Sequence, residues 1–334
     1  MNDTGKIGIG PMSIEIIDAI IDYANIKNKP VMLIASRNQI DCEELGGGYV
    51  GKLNTETFAK RVMDRDIGNM VQICRDHSGP YLNAAEKGLT YEDAMSKTLI
   101  SLQADIDSGF DLLHIDTSAC PDPYTAAEKM FKLALDAETQ IEFEFGSEEN
   151  VGIAASPEKF EQDVKFAKQF VTPRFVVGQT GTLVKSTFQV GQFSETAVTR
   201  LVEIANEYGV GLKEHNADYL SSATINHHFN LGVAACNIAP EFGVVQTRTI
   251  TDLAIIHNCL AELDAFYKRV LAGGKYEKWA WTWFTDHYKY MSTGHYFFTS
   301  REYQFLIDAL IAKGVNVDDK IRQEIFKLLD NYIP

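Results

Sequence analysis

Nowhere do the 334 residues hold an apolar run of about 18, the length a membrane-crossing helix needs. The opening MNDTGKIGIGP has no basic stretch leading into a long apolar one, so no secretory leader is expected. Basic residues are in deficit: 31 Lys+Arg stand against 46 Asp+Glu, a net charge of −15. A general affinity for nucleic acid or an anionic membrane surface is therefore not expected. The cysteines Cys42, Cys74, Cys120, Cys236 and Cys259 are odd in number and scattered. None makes a CxxC or zinc-finger spacing, so reduced thiols in a cytoplasmic setting are expected. Low-complexity tracts, internal repeats and linker-like stretches are missing. The turn after the first apolar run reads GIGPMS, not GxGxxG, so no nucleotide cofactor is expected.

What the chain does hold is a regular alternation. Short apolar runs end in polar residues or glycine at 6–10, 31–36, 70–75, 111–116, 140–145, 174–179, 210–214 and 232–238. Such continuously apolar runs suit strands covered on both faces. Between them lie segments of helical spacing at 13–25, 54–66, 90–108, 124–137, 157–170 and 194–208, with another at 251–271. Asn54, Thr90 and Ser156 stand where N-caps belong, Ser156 before Pro157. Gly109 and Gly209 follow helix ends. Alternating strands and helices predict right-handed crossovers and a parallel sheet. Eight units predict a closed (β/α)8 TIM barrel over residues 1–272, and residues 273–334 read as a helical C-terminal extension packed on it.

In such a barrel the chemistry sits where strands end. Polar residues gather there: Ser36-Arg37-Asn38-Gln39, Arg75-Asp76-His77, His114 and Asp116, Glu142 and Glu144, Gln179-Thr180, Lys213-Glu214-His215, and Asn237. Charges on buried strands are costly unless paired or metal-bound. His77 and His215 on opposite sides of the mouth, with Glu144 between, form a set suited to Zn²⁺ or Mn²⁺ acting as a Lewis acid. Asp76 beside His77 is either an acid/base or the carboxylate that orients His77. Glu142 is read with Asp76 as a catalytic carboxylate.

Six segments resemble, in order, the class II metal-dependent tagatose- and fructose-bisphosphate aldolase superfamily. They are IASRNQIDCEELGGGYVG, RDHSGP, LLHIDTSACPDP, IEFEFGSEEN, KEHNADY and GVAACNIAPEFG. They look most like the branch holding the second subunit of tagatose-bisphosphate aldolase and some ketose 4-epimerases. The resemblance covers about residues 6–250. It implies His77 and His215 as metal ligands, Glu144 as a third ligand or close neighbour, and Asp76 as the proton carrier. It implies Asn38, Gln39, Asp116, Gln179, Lys213, Asn237 and Arg301 as substrate-binding. Catalytic aldolases carry a further histidine after the sixth strand, where this chain has Gln179 in VVGQTGTLVK.

The implied chemistry is retro-aldol cleavage between C3 and C4 of a ketose or ketose phosphate, by an aldolase (a lyase) or a 4-epimerase (an isomerase) holding one divalent ion. An accessory role beside a catalytic aldolase subunit, or homo-oligomer formation, is the other implication. Phosphate donors are sought at Gly181, Lys185, Ser221 and Ser222, and among Arg37, Arg75, Arg248 and Arg301, none in a recognisable motif. The aromatic stretch at 279–290 is read as a seam between barrel and extension, with an interface as the alternative. His227-His228, His257 and His287 are read as structural. His295 or Arg301 is a candidate to close over the mouth.

Overall fold

The computed structural model describes residues 6–137 and 140–333. Residues 1–5, on which the absence of a leader was read, and Pro334 lie outside them.

The eight apolar runs each form a strand. These are β1 (Ile7–Ile9), β2 (Val31–Ser36), β3 (Val71–Asp76), β4 (Leu112–Asp116), β5 (Glu142–Gly146), β6 (Phe175–Val177), β9 (Gly211–Glu214) and β10 (Ala235–Ile238). They close in the order β1-β10-β9-β6-β5-β4-β3-β2, all neighbours parallel. A two-stranded antiparallel hairpin, β7 (Val184–Lys185) and β8 (Phe188–Gln189), leaves the loop after β6. Its strands are too short for any sequence period to reveal.

Helices α1 (Ile14–Lys27), α2 (Thr55–Arg65), α3 (Tyr91–Asp107), α4 (Pro123–Asp136), α5 (Pro157–Ala167), α6 (Glu195–Tyr208), α7 (Ser222–Leu231) and α8 (Pro240–Ile256) follow the barrel strands. The expected caps are formed: Asn54, Thr90 and Ser156 side chains each accept a first-turn N–H, and Gly209 takes a left-handed conformation. Satisfying such a donor stabilises a helix by about 1 kcal/mol. The helix expected at 251–271 is two. α8 begins earlier, at Pro240, and a left-handed Asn258 separates it from α9 (Leu260–Ala272).

Side chains alternate across each strand, and this sorts the polar residues. Outward-facing Phe143 and Phe145 pack on Phe131 of α4. Burying one such ring contributes about 2 kcal/mol. The inward face carries Met32, Ile34, Cys74, Leu112, Phe175 and Ala235, an apolar plug. Two residues further along β3, β4 and β10, above Cys74, Leu112 and Ala235, stand Asp76, His114 and Asn237. The plug is thus the floor of a polar chamber.

Beyond the barrel come α10 (Asp286–Thr293), α11 (Arg301–Ala312) and α12 (Val317–Tyr332). α12 packs against α1 and α8, closing the helical ring where the first and last barrel units meet. Among the described residues no helix is long and apolar enough to cross a membrane. All five cysteines are buried and unpaired.

Candidate metal and active site at the barrel mouth

Asp76 ends β3, His114 and Asp116 lie on β4, and Glu144 lies on β5 in register with His114. His215 follows β9, and Asn237 lies on β10. Glu144 Oε1 is 2.8 Å from His215 Nε2, and its Oε2 accepts from Lys213 Nζ. Asp76 Oδ1 is 3.1 Å from His114 Nδ1, and its Oδ2 is 3.5 Å from His77 Nε2. His77 sits at φ 49°, a left-handed backbone uncommon for a residue with a Cβ, and its Nδ1 meets Asp116 Oδ2. Asn237 Nδ2 lies 3.1 Å from His215 Nε2, while its buried Oδ1 has no partner. That amide fits only because Gly8 faces it: a Cβ there would come within 2.3 Å of Oδ1.

The electrostatics follow from burial opposed by pairing. Burial alone would raise the Asp76 carboxyl, but His77, His215 and His114 outweigh it and hold it well below the carboxylate range. Burial would depress His77, but Asp76 and Asp116 prevail and lift it to about 9. Glu144 is lowered because Lys213, His114 and His215 overcome its burial. His215 is lowered, its burial prevailing over Asp76 and Glu144.

The donor set fits a divalent ion. Ligand atoms of Asp76, His114, Glu144 and His215 all lie within 4.8 Å of one another, and His77, His114 and Asp116 form a second such group. Ring centroids of His77, His114 and His215 are 5.2 to 5.6 Å apart. Imidazoles sharing one tetrahedral ion at about 2.1 Å would have centroids about 5.3 Å apart. Two imidazoles, or three, with a carboxylate suit zinc or manganese better than calcium or magnesium.

His114 carries no assigned role in the sequence reading, although its signal was present. It stands two residues before Asp116, so the strand period turns both into the barrel. Other expectations need correction. Glu142 lies at the amino-terminal end of β5, half exposed, paired with Arg174 Nη1 at 2.7 Å and Gln72 at 2.8 Å. A strand separates its two ends, so it has no access to the mouth. Lys213 is fully buried, and its ammonium is committed to Glu144, so it positions that carboxylate rather than meeting a ligand. Asp116 orients His77. Asn38 bonds Leu82 and Ala84 in the next loop, and Gln39 bonds Ser36 N and Met12 Sδ. Both shape the chamber wall. Gln179, after β6, donates to Glu148 O at 3.4 Å. Arg301 opens α11, is exposed and lies over Phe305 of its own helix, so it is not brought to the mouth.

Several polar strand residues turn outward and are structural. Arg75 is clamped by Asp105, and Arg37 by Asp41 and Glu86, all buried. Neither guanidinium can meet a phosphate. Glu214 pairs with His228, on which Phe193 stacks. Ser221 caps α7 and Ser222 bonds Asn331, so neither is a free anion donor. In the aromatic stretch, Trp279 is partly buried and donates to Tyr296, whereas Trp281 and Trp283 stack together and are exposed. His295 is buried, and neither of its ring nitrogens has a partner. Two outer clefts, of about 420 Å³ beside Tyr124 and about 750 Å³ beside Cys42, lie in the helical layer away from these groups.

No family model matches the sequence, and no curated protein matches it. Solved structures do match the fold. A probable tagatose 6-phosphate kinase from Sinorhizobium meliloti 1021 superposes with a TM-score of 0.83 at 18% identity, over 98% of this chain and 99% of that one. A fructose-bisphosphate aldolase from Campylobacter jejuni gives 0.59 at 12% identity, over 99% and 91%. The YdjI aldolase from Escherichia coli K12 gives 0.54 at 14%, over 98% and 91%. The chain therefore has the TIM-barrel fold found in these enzymes.

Proposed function

We propose that this chain is a divalent-metal-dependent enzyme of the class II aldolase type. It would break and remake the C3–C4 bond of a ketose or ketose phosphate. The observation that carries the reading is a buried Asp76 set beside three imidazoles and Glu144 at the open end of the barrel. The aldolases with the same fold support it.

His77, His114, His215 and Glu144 would hold the ion. When bound, it supplies Lewis-acid polarisation of a carbonyl and an adjacent hydroxyl oxygen. Asp76 Oδ2, facing the mouth, accepts the C4 hydroxyl proton. The C3–C4 electron pair then passes to the C2–C3 unit as an enediolate, and C4 leaves as an aldehyde. Lys213 keeps Glu144 charged and fixed throughout. Aldolase and 4-epimerase outcomes share this step. In the second, the aldehyde turns over and Asp76 returns the proton after the bond re-forms.

The exposed Trp281–Trp283 pair favours a second reading, an accessory subunit contacting a catalytic aldolase chain or another copy. Residues 1–272 as barrel and 273–334 as extension, in a cytoplasmic setting suited to five free thiols, belong to the same proposal. Elemental analysis of the chain purified alone, wild type and His215→Ala, is the test. About one zinc or manganese per chain, lost in the variant, is expected. Ketoses, ketose phosphates and ketouronates then separate cleavage from epimerisation. A wild type without metal or turnover after divalent-ion supplementation would leave the accessory role.

A further inference from the structure

Three lysines come from separate segments: the loop after β3, the loop after β6 and the start of the extension. Lys87 closes the short 3-10 turn after β3. Lys185 ends β7, the first strand of the hairpin in the loop after β6. Lys278 ends the 3-10 turn Lys275–Lys278 that begins the extension. The last two are joined directly: Lys185 Nζ donates to the Lys278 carbonyl at 3.1 Å. Neighbouring contacts hold that joint. Ser186 N donates to Trp279 O at 2.6 Å, Ser186 Oγ donates to Tyr288 O, and Phe188 packs on Phe284 and Tyr288. The extension is thus pinned to the hairpin where the Lys185 side chain meets the Lys278 backbone.

Lys278 lies within electrostatic range of Lys185 and Lys87 beside it, and of Asp76 and His77 below. His295 feels it from the buried side. Among the described residues, none of the three lysines forms an ion pair with a carboxylate; the Lys278 ammonium lies over the Trp279 ring, 4.9 Å from its centroid. In a chain of net charge −15, three lysines without a carboxylate partner beside the barrel mouth are a local reversal of sign. Crowded ammonium groups lacking a counter-ion repel, and an arriving anion relieves that repulsion.

We propose that Lys278 and Lys185, with Lys87 at the edge, form an oxyanion-binding subsite that holds the charged end of an open-chain sugar over Asp76 and His77. This deepens, and rests on, the reading of the mouth as a sugar-cleaving site. The shared chemistry is an oxyanion, either phosphate or carboxylate. Lysine ammoniums act as point charges and suit both, whereas an arginine fork would select by shape.

The test is direct binding, not turnover, so its failure is distinct from failure of the retro-aldol reading. Inorganic phosphate and glucuronate are titrated calorimetrically into the whole 334-residue chain as purified, at low salt. The comparison covers wild type, Lys278→Ala, Lys185→Ala and, as a surface control, Lys268→Ala. Losing one charge-assisted contact weakens binding about tenfold or more. The expected result is that loss in Lys278→Ala and Lys185→Ala, for phosphate, glucuronate or both, with the control unchanged. Which anion shows it identifies the source. Equal affinity in all four proteins, or no binding of either anion by wild type, overturns the subsite. Circular dichroism of the variants separates a lost contact from a lost fold.

Discussion

Lys213 forms a fully buried ion pair with Glu144 inside the barrel, which leaves only Oε1 of that carboxylate to face His215. The lysine projects from β9 above the ring of Phe175, 5.2 Å from its centroid. Removing one partner of such a pair leaves an uncompensated buried charge, costing about 3–5 kcal/mol. Lys213→Met is therefore expected to lower the denaturation midpoint sharply and to weaken metal retention. Urea unfolding with and without added zinc measures both. A midpoint matching wild type would remove Lys213 from its positioning role.

Asp76→Asn keeps the shape of the side chain and removes its basicity. Metal content is expected to stay near that of wild type, because His77, His114, His215 and Glu144 remain. Turnover of the responsive ketose is expected to fall by about 10²–10⁴, the usual worth of a positioned proton carrier. If metal and turnover vanish together, Asp76 is a ligand instead.

Glu142→Gln tests the corrected assignment. Its carboxylate sits half exposed at the far end of β5, in a pair with Arg174. Such surface pairs contribute about 0–1 kcal/mol. The variant is expected to keep wild-type kcat and KM, with at most a small shift in melting temperature. A large loss of kcat would return Glu142 to the catalytic set.

Asp218 gives a pH dependence of stability. Burial, with Glu241 beside it, raises its carboxyl from 3.8 to about 8, against the N–H groups of Ala239 and Glu241 that favour its charge. Its buried Oδ2 has no partner, which costs less for a neutral acid than for a carboxylate. The folded state thus keeps a proton that the unfolded chain has lost above about pH 4. This group's contribution is largest at acid pH and declines as pH rises from about 4 to about 8. Asp218→Asn mimics the neutral acid and retains an oxygen for the two N–H donors. Its melting temperature is expected to gain on wild type between pH 5 and 8, by scanning calorimetry. A constant difference across that range would show that Asp218 does not titrate there.

Much of the barrel is legible because strand burial imposes continuous apolar runs and each helix declares its caps. Asn54, Thr90 and Ser156 stand at their helices for reasons internal to a few residues. The hairpin at Val184–Gln189 is not legible in this way: two-residue strands carry no period. Nor is the break at Asn258, since the apolar spacing continues on both sides of one left-handed residue.

The polar residues of the mouth divide along the same line. Sequence by itself determined that Asp76, His77 and His215 fall at strand ends and Glu144 within a strand of the same barrel, because a parallel barrel brings such positions together. It also held the parity that turns His114 inward and Arg75 outward, since successive strand residues face opposite sides. Only the tertiary structure decided which groups meet. Glu142 and Glu144 are two residues apart and of one parity, yet the first opens β5 half exposed while the second, one step deeper along the strand, is buried against Lys213. Lys185 and Lys278 are far apart in the chain, and only the packing of the extension on the hairpin joins them. Local spacing encodes the direction a side chain takes, while its partners come from segments whose distance along the chain carries no information about their separation in space.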